Sequence, residues 1–137
     1  MSTLSADELL KNLDNKNLSE LSREQAIHEL KNFPEPAVIA RLIQTLDSDD
    51  GGIRWAASST LIEFGEAALR PLLMALVEGH DSVWLREGAY RVFHDTHNYK
   101  VQQATGDLVK ALKGPAAEST TTDAAARALL KLDKLAQ

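Results

Sequence analysis

The sequence predicts an all-α fold, a short right-handed α-solenoid of stacked antiparallel helix pairs with about 7–8 helices. Three observations predict it. A skeleton of Arg, then a small Ala three residues on, then a large apolar residue four further, recurs along the chain. Its first three copies are Arg23-x-x-Ala26-x-x-x-Leu30, Arg54-x-x-Ala57-x-x-x-Leu61 and Arg86-x-x-Ala89-x-x-x-Phe93, offset by 31 and 32 residues. Repetition at such a period marks a stacked repeat array. Second, each copy carries a helical stripe: Ile53, Ala56, Ala57, Thr60, Leu61 and Phe64 share one helix face, whereas a strand would alternate. Third, a second apolar stripe follows each copy, as in Ile39, Leu42, Ile43 and Leu46, and again in Leu69, Leu72, Leu73, Leu76 and Val77.

In chain order, residues 1–20 read as an N-terminal capping helix with Leu9, Leu10 and Leu13 on its apolar side. Repeats follow at 21–49, 50–79 and 80–114. Residues 115–137 read as a degenerate C-terminal repeat or cap, a fourth copy running Asp123-x-x-Ala126-x-x-x-Leu130. Terminal repeats need one polar face. The turns within repeats correspond, 33–37 (FPEPA) with 64–68 (FGEAA). Pro34 and Gly65 stop the helix before them, and Pro36 suits a first turn. Between repeats, 47–52 (DSDDGG) and 78–82 (EGHDS) are turn chemistry ending in Asp or Ser caps. Ser5-x-x-Glu8 and Ser22-x-x-Gln25 read as capping boxes. Residues 114–123 read as a loop, with Thr121 or Thr122 capping a last helix that carries Leu129, Leu130, Leu132 and Leu135.

The small Ala26, Ala57 and Ala89 are expected at close helix approaches, where a larger side chain would force the helices apart. The Arg one turn earlier is expected to reach a neighbouring turn, through its carbonyls or through Asp47, Asp49, Asp50 or Asp81.

The pattern resembles the HEAT-like repeats of the phycobilisome-lyase type. The residues that carry the likeness are Asp50-Gly51-Gly52-Ile53-Arg54-Trp55-Ala56-Ala57 and Asp81-Ser82-Val83-Trp84-Leu85-Arg86-Glu87-Gly88-Ala89. Residues 20 to 113 follow it well and the end loosely. The resemblance implies the solenoid, and a family of scaffolds, chromophore lyases and a few enzymes. In the HEAT-like two-iron hydroxylases a His-Glu pair stands directly after the skeleton Arg. Here those slots hold Glu24-Gln25, Trp55-Ala56 and Glu87-Gly88, which do not supply that iron site.

Composition narrows the function classes. The 137 residues are 44% hydrophobic and 26% charged, with no Cys, so thiolate ligands, a Cys nucleophile and disulfides are excluded. The start lacks a basic segment followed by an apolar run, so no signal peptide is expected. The longest uncharged runs are about eight residues, as at 55–62, against the roughly 20 of a membrane span; the expected location is cytoplasmic. Net charge is −5, split as −6 over the first 68 residues and +1 over the rest. No three Lys or Arg fall within five residues, so the basic stripe of a nucleic-acid binder is missing.

The sequence assigns no catalytic, cofactor-binding or metal-ligating residue, and no cofactor. There is no phosphate-binding Gly-rich loop and no nucleophile elbow. His94-x-x-His97 is the single metal-like spacing, on what reads as one helix face, but a helix end attracts His by its dipole alone. The expected function is a non-catalytic scaffold for a partner protein. Its candidate contact residues are Arg54, Trp55, Trp84, Arg86, Glu87, Tyr90 and Tyr99, since Trp, Tyr and Arg dominate binding hot spots. The second helices, with Arg41, Gln44, Thr45, Met74 and Glu78, are the other surface expected to meet a partner. The alternative that the resemblance permits is a bilin-lyase-like or chromophore-handling factor acting on a phycobiliprotein-type partner, in which Trp55, Trp84, Arg54 and Arg86 would hold a tetrapyrrole and its propionates. Nucleic-acid binding ranks last.

Overall fold

The computed structural model describes residues 4–79 and 81–135. His80, in the predicted turn at 78–82, and the side chain of Leu135 lie outside the described residues. Eight α-helices and one 3-10 turn make up the described chain, which contains no strand among these residues. They are α1 (Ala6–Asp14), α2 (Glu20–Glu29), α3 (Pro36–Thr45), α4 (Gly51–Phe64), α5 (Glu66–Glu78), α6 (Val83–Asp95), α7 (Tyr99–Lys113) and α8 (Ala117–Leu135).

Local chemistry explains most boundaries. Ser5 caps α1 with a complete capping box to Glu8. Asp50 and Ser82 accept from the backbone of Ile53 and Leu85, capping α4 and α6, and Pro36 opens α3 at its first position. The cap of α2 is Ser19, which accepts from Ser22 N–H, so Ser22 is not the cap and its box with Gln25 does not form. Ser19 wins because it precedes a helical turn that Ser22 already belongs to. Gly65 ends α4 with φ +58° and ψ −126°, a backbone that only glycine adopts without strain. This lets α5 start one residue later.

The three skeleton helices α2, α4 and α6 stack in series. Ala26, Ala57 and Ala89 are all buried. Thr60 Oγ1 of α4 lies 3.2 Å from the Ile27 carbonyl of α2, which fixes the stagger of that pair. The skeleton arginines lock each first helix to the chain before it. Arg23 Nε donates to Leu13 O at 2.8 Å, Arg54 Nη1 donates to Ser48 O at 2.6 Å, and Arg86 pairs with Asp81 at 3.2 Å. Two of the three thus take carbonyls at the end of the preceding helix or its turn.

The second layer begins regularly. α1 seats on α2, and α3 seats on α4. At α5 the pattern changes, because the main neighbour of α5 is α8 rather than α6. The segment 114–123 is not a loop. α8 starts at Ala117, so Thr121 and Thr122 are inside the helix and Thr121 is buried. The fourth skeleton copy is out of register: Ala126 is only half-buried and Leu130 is 62% exposed, while Ala117, Ala124, Ala125 and Ala128 face the core. That stripe of small residues lets α8 lie close against α5 and α7. Asp133, late in α8, pairs with Arg70 near the start of α5, and Thr121 and Thr122, early in α8, share a small hollow with Leu76 and Gly79 at the end of α5. α8 therefore runs antiparallel to α5. It covers the second-helix layer, with Met74 half-buried there, over the part of the array where the sequence suggested an open partner-binding face.

Candidate functional site

With the second-helix layer covered at α5 and α7, the first-helix layer carries the most distinctive surface. A groove of about 250 Å³ runs between α4 and α6, lined by Gly51, Arg54, Trp55, Ser58, Trp84, Glu87, Gly88 and Arg91. Beside it, Gly88 of α6 lacks a side chain and so makes room for Leu46, the cap residue at the end of α3.

Two guanidinium–indole stacks build its walls. The Arg54 guanidinium sits 4.5 Å from the ring centre of Trp84, and that of Arg91 sits 3.4 Å from the ring centre of Trp55. Each is attracted to the negative face of the ring, by about 0.5–2 kcal/mol according to how dry the pair is. Arg91 is also tied down by hydrogen bonds. Its Nη1 donates to Trp55 O at 3.0 Å and to Ser59 Oγ at 2.9 Å, and it meets Ser58 Oγ as well. Burial pushes the Arg91 guanidinium below its ordinary value, while the nearby Asp95 carboxylate works in the other direction. An arginine starts so far above neutrality that it stays charged. Trp55 itself remains 61% exposed. One face of its ring is taken by Arg91, so the exposed area is the other face.

Of the residues expected from sequence, Arg54, Trp55, Trp84 and Glu87 come together in this groove. Three do not. Arg86 turns to the opposite side, into a small hollow with Leu76, Gly79, Asp81, Leu85, Thr121 and Thr122. Tyr90 stacks on His94 with ring centres 5.2 Å apart and lies near Lys113 of α7. Tyr99 is exposed at the start of α7, where its hydroxyl accepts from Gln103 Nε2. Arg91 is the groove residue that sequence reasoning passed over. Its repeat counterparts are His28 and Ser59, so nothing periodic singles it out.

The remaining candidates are placed as follows. α6 ends at Asp95, so His97 lies in the following turn and does not share a helix face with His94. The His94 ring is engaged with Asp95 at 2.8 Å. No group of three or more His, Asp or Glu side chains with metal-binding geometry occurs among the described residues. Arg41, Gln44 and Thr45 line a more polar hollow of about 340 Å³ together with Asp14, Arg23 and Asp47. There Arg41 is already engaged by Asp14 and Gln44. No helix among the described residues is long and apolar enough to cross a membrane.

The stacked helix pairs are those of a known repeat. A family model for HEAT repeats matches residues 6–93, more than half of the chain. The chain belongs to the HEAT-repeat family. No curated protein and no solved structure matches this HEAT-repeat chain. The matched stretch runs from α1 to Phe93 of α6. It stops before α7 and α8, the part in which the helices leave the regular stacking.

Proposed function

We propose that this HEAT-repeat protein is a non-catalytic scaffold that docks a partner protein on the α4–α6 groove. The observation that carries the reading is the exposed Trp55, held in one orientation by Arg91 beside the Arg54–Trp84 stack. A rigid, exposed Trp flanked by Arg is the composition of a binding hot spot. Holding the ring in place before binding lowers the ordering cost of the complex. Repeat membership supports the same reading, because stacked helix pairs present extended surfaces to partners. The contact residues in this proposal are Arg54, Trp55, Trp84, Glu87 and Arg91. Arg86, Tyr90 and Tyr99 lie apart from it.

The test is capture from an extract of the source organism, with wild-type protein and Trp55→Ala side by side. A protein recovered with wild type and lost with the variant is the expected result. Equal recovery on both removes the groove from the proposal.

The phycobilisome-lyase resemblance supports a second reading, in which the groove handles a bilin. What favours it is the pairing of Trp55 and Trp84 with two guanidiniums in one groove, although the second of these is Arg91 and not the expected Arg86, which lies in another hollow. The size of the groove favours the protein partner, because small-molecule sites usually enclose about 300–1,000 Å³ and this open groove offers about 250 Å³. Absorbance between roughly 350 and 700 nm travelling with the captured material would put the bilin reading first; that is the light a conjugated tetrapyrrole absorbs and the protein's own side chains do not.

A further inference from the structure

We propose that the α4–α6 groove recognises an acidic segment of its partner, with carboxylates on the edges of Arg54 and Arg91 and an apolar side chain on the open face of Trp55. This deepens the scaffold reading and rests on it.

Two guanidiniums are held over indole rings, Arg54 at 4.5 Å and Arg91 at 3.4 Å from the ring centres, and a carboxylate can meet whichever of their N–H donors stay free. Arg91 Nε is buried, so Nη2 is the donor Arg91 offers. Arg54 spends Nη1 on Ser48 O, and Arg91 spends Nη1 on Trp55 O and the two serines. The Nη2 groups of both have no hydrogen bond among the described residues, and both side chains line the same groove. Two planar donors are therefore pinned by ring stacking and backbone carbonyls before any partner arrives.

Charge favours the same class of partner. The groove is lined by two guanidiniums and one carboxylate, Glu87. Asp95 stands 3.7 Å from Arg91 Nε, outside that lining. The chain as a whole carries −5, and its first 68 residues carry −6. The groove is thus a local cationic spot on an acidic protein. A long polyanion such as a nucleic acid meets repulsion from the surrounding charge, which acts over about 8–10 Å at ordinary salt. A short acidic segment can reach the two arginines without crossing much of that field. The uncovered face of Trp55 adds an apolar contact beside them, so the matching segment carries Asp or Glu next to Leu, Ile or an aromatic residue.

The full chain is titrated by fluorescence anisotropy with a labelled peptide of alternating Glu and Leu. A Lys–Leu peptide and a single-stranded oligonucleotide of the same charge as the Glu–Leu peptide serve as comparisons. The Glu–Leu peptide should bind, and the Lys–Leu peptide should not. Arg54→Gln should weaken binding roughly 10-fold, the value of a charge-assisted hydrogen bond. Arg54→Lys, which keeps the charge but loses the planar edge, should recover only a small part of that loss. Melting curves confirm that each variant is folded. Binding of the Lys–Leu peptide or the oligonucleotide as tight as the Glu–Leu peptide overturns the inference, as does an Arg54→Gln affinity equal to wild type or no binding of the Glu–Leu peptide. The capture experiment separates this failure from failure of the scaffold reading. A partner that depends on Trp55 but is not displaced by excess Glu–Leu peptide leaves the scaffold standing and removes the acidic segment. A partner that ignores Trp55 removes both.

Discussion

Replacing Gly88 by Ala sets two effects of known size against each other. Gly88 lies inside α6, where Ala is the better helix former by about 0.8–1 kcal/mol. An added methyl at this position would lie 2.9, 3.1 and 3.2 Å from Leu46 Cδ2, Cδ1 and Cγ. Ordinary carbon contacts are about 3.5–4.0 Å. Leu46 is fully buried and cannot swing into solvent. Overpacking of this kind costs about 1–3 kcal/mol. The expected net effect is a loss of about 1 kcal/mol, or a fall in Tm of about 4 °C for a domain this size. The cycle with Leu46→Ala isolates the cause. Leu46→Ala alone should cost about 2–5 kcal/mol. In that background the clash is gone, so Gly88→Ala should stabilise by about 0.5–1 kcal/mol, which is the helix propensity term alone. Urea unfolding of the four proteins, followed by circular dichroism, measures the coupling. If Gly88→Ala shifts the midpoint by the same amount and sign in both backgrounds, the packing of Leu46 against α6 does not depend on the missing methyl and the reasoning fails.

Three further outcomes are expected. Ala57→Leu should cost more than about 1 kcal/mol through overpacking, because Ala57 is fully buried in α4; an unchanged Tm would show that α4 does not make this close approach. Trp55→Ala should cost no more than about 0.5–2 kcal/mol, the value of its stack with Arg91 alone, because the ring is otherwise exposed, so a loss of about 3–5 kcal/mol, as for a buried aromatic, would mean that Trp55 is a packing residue rather than a contact residue. The third concerns Asp50, which is held below its ordinary value first by the Ile53 backbone N–H and then by Glu20, whereas Glu20 is raised by Asp50. A depressed folded pKa gives stability that is present above the unfolded value, about pH 4 for Asp, and is lost as pH falls through the lower folded value. A raised one, as at Glu20, works in the opposite sense: its contribution is present at low pH and is lost as pH rises through the folded value. Asp50→Asn keeps a good cap but removes the neighbouring carboxylate and its charge, so the Glu20 titration midpoint followed by NMR should move down. A midpoint that stays put would show that the two carboxylates do not meet.

The regular part of the array could be read from sequence because each signal was local or periodic. Ser5, Asp50 and Ser82 cap helices through contacts three residues away, and Ala26, Ala57 and Ala89 recur at the spacing of the stack. Ser19 rather than Ser22 caps α2, since both offer the same hydroxyl and only the backbone path chooses between them. Arg54, Trp55, Trp84 and Glu87 could be singled out as residue types. Their convergence could not, because it depends on the crossing of α4 and α6.

What the sequence by itself determined is the helical class, the period of about one helix pair, the small residues at the helix crossings and the caps. Each of these follows from spacing along one chain and from the chemistry of near neighbours. The tertiary structure alone decided which way the equivalent arginines point, sending Arg54 onto Trp84 and Arg86 toward Asp81 and α8. It alone brought Arg91 onto Trp55 and laid α8 over α5 and α7 rather than extending the stack. The physical reason is that, Arg86–Asp81 apart, these are contacts between residues 24 to 63 positions apart. A stripe of Ala and Thr says that a helix packs closely on something, but the same stripe would serve against several neighbours, and only the assembled helices choose among them.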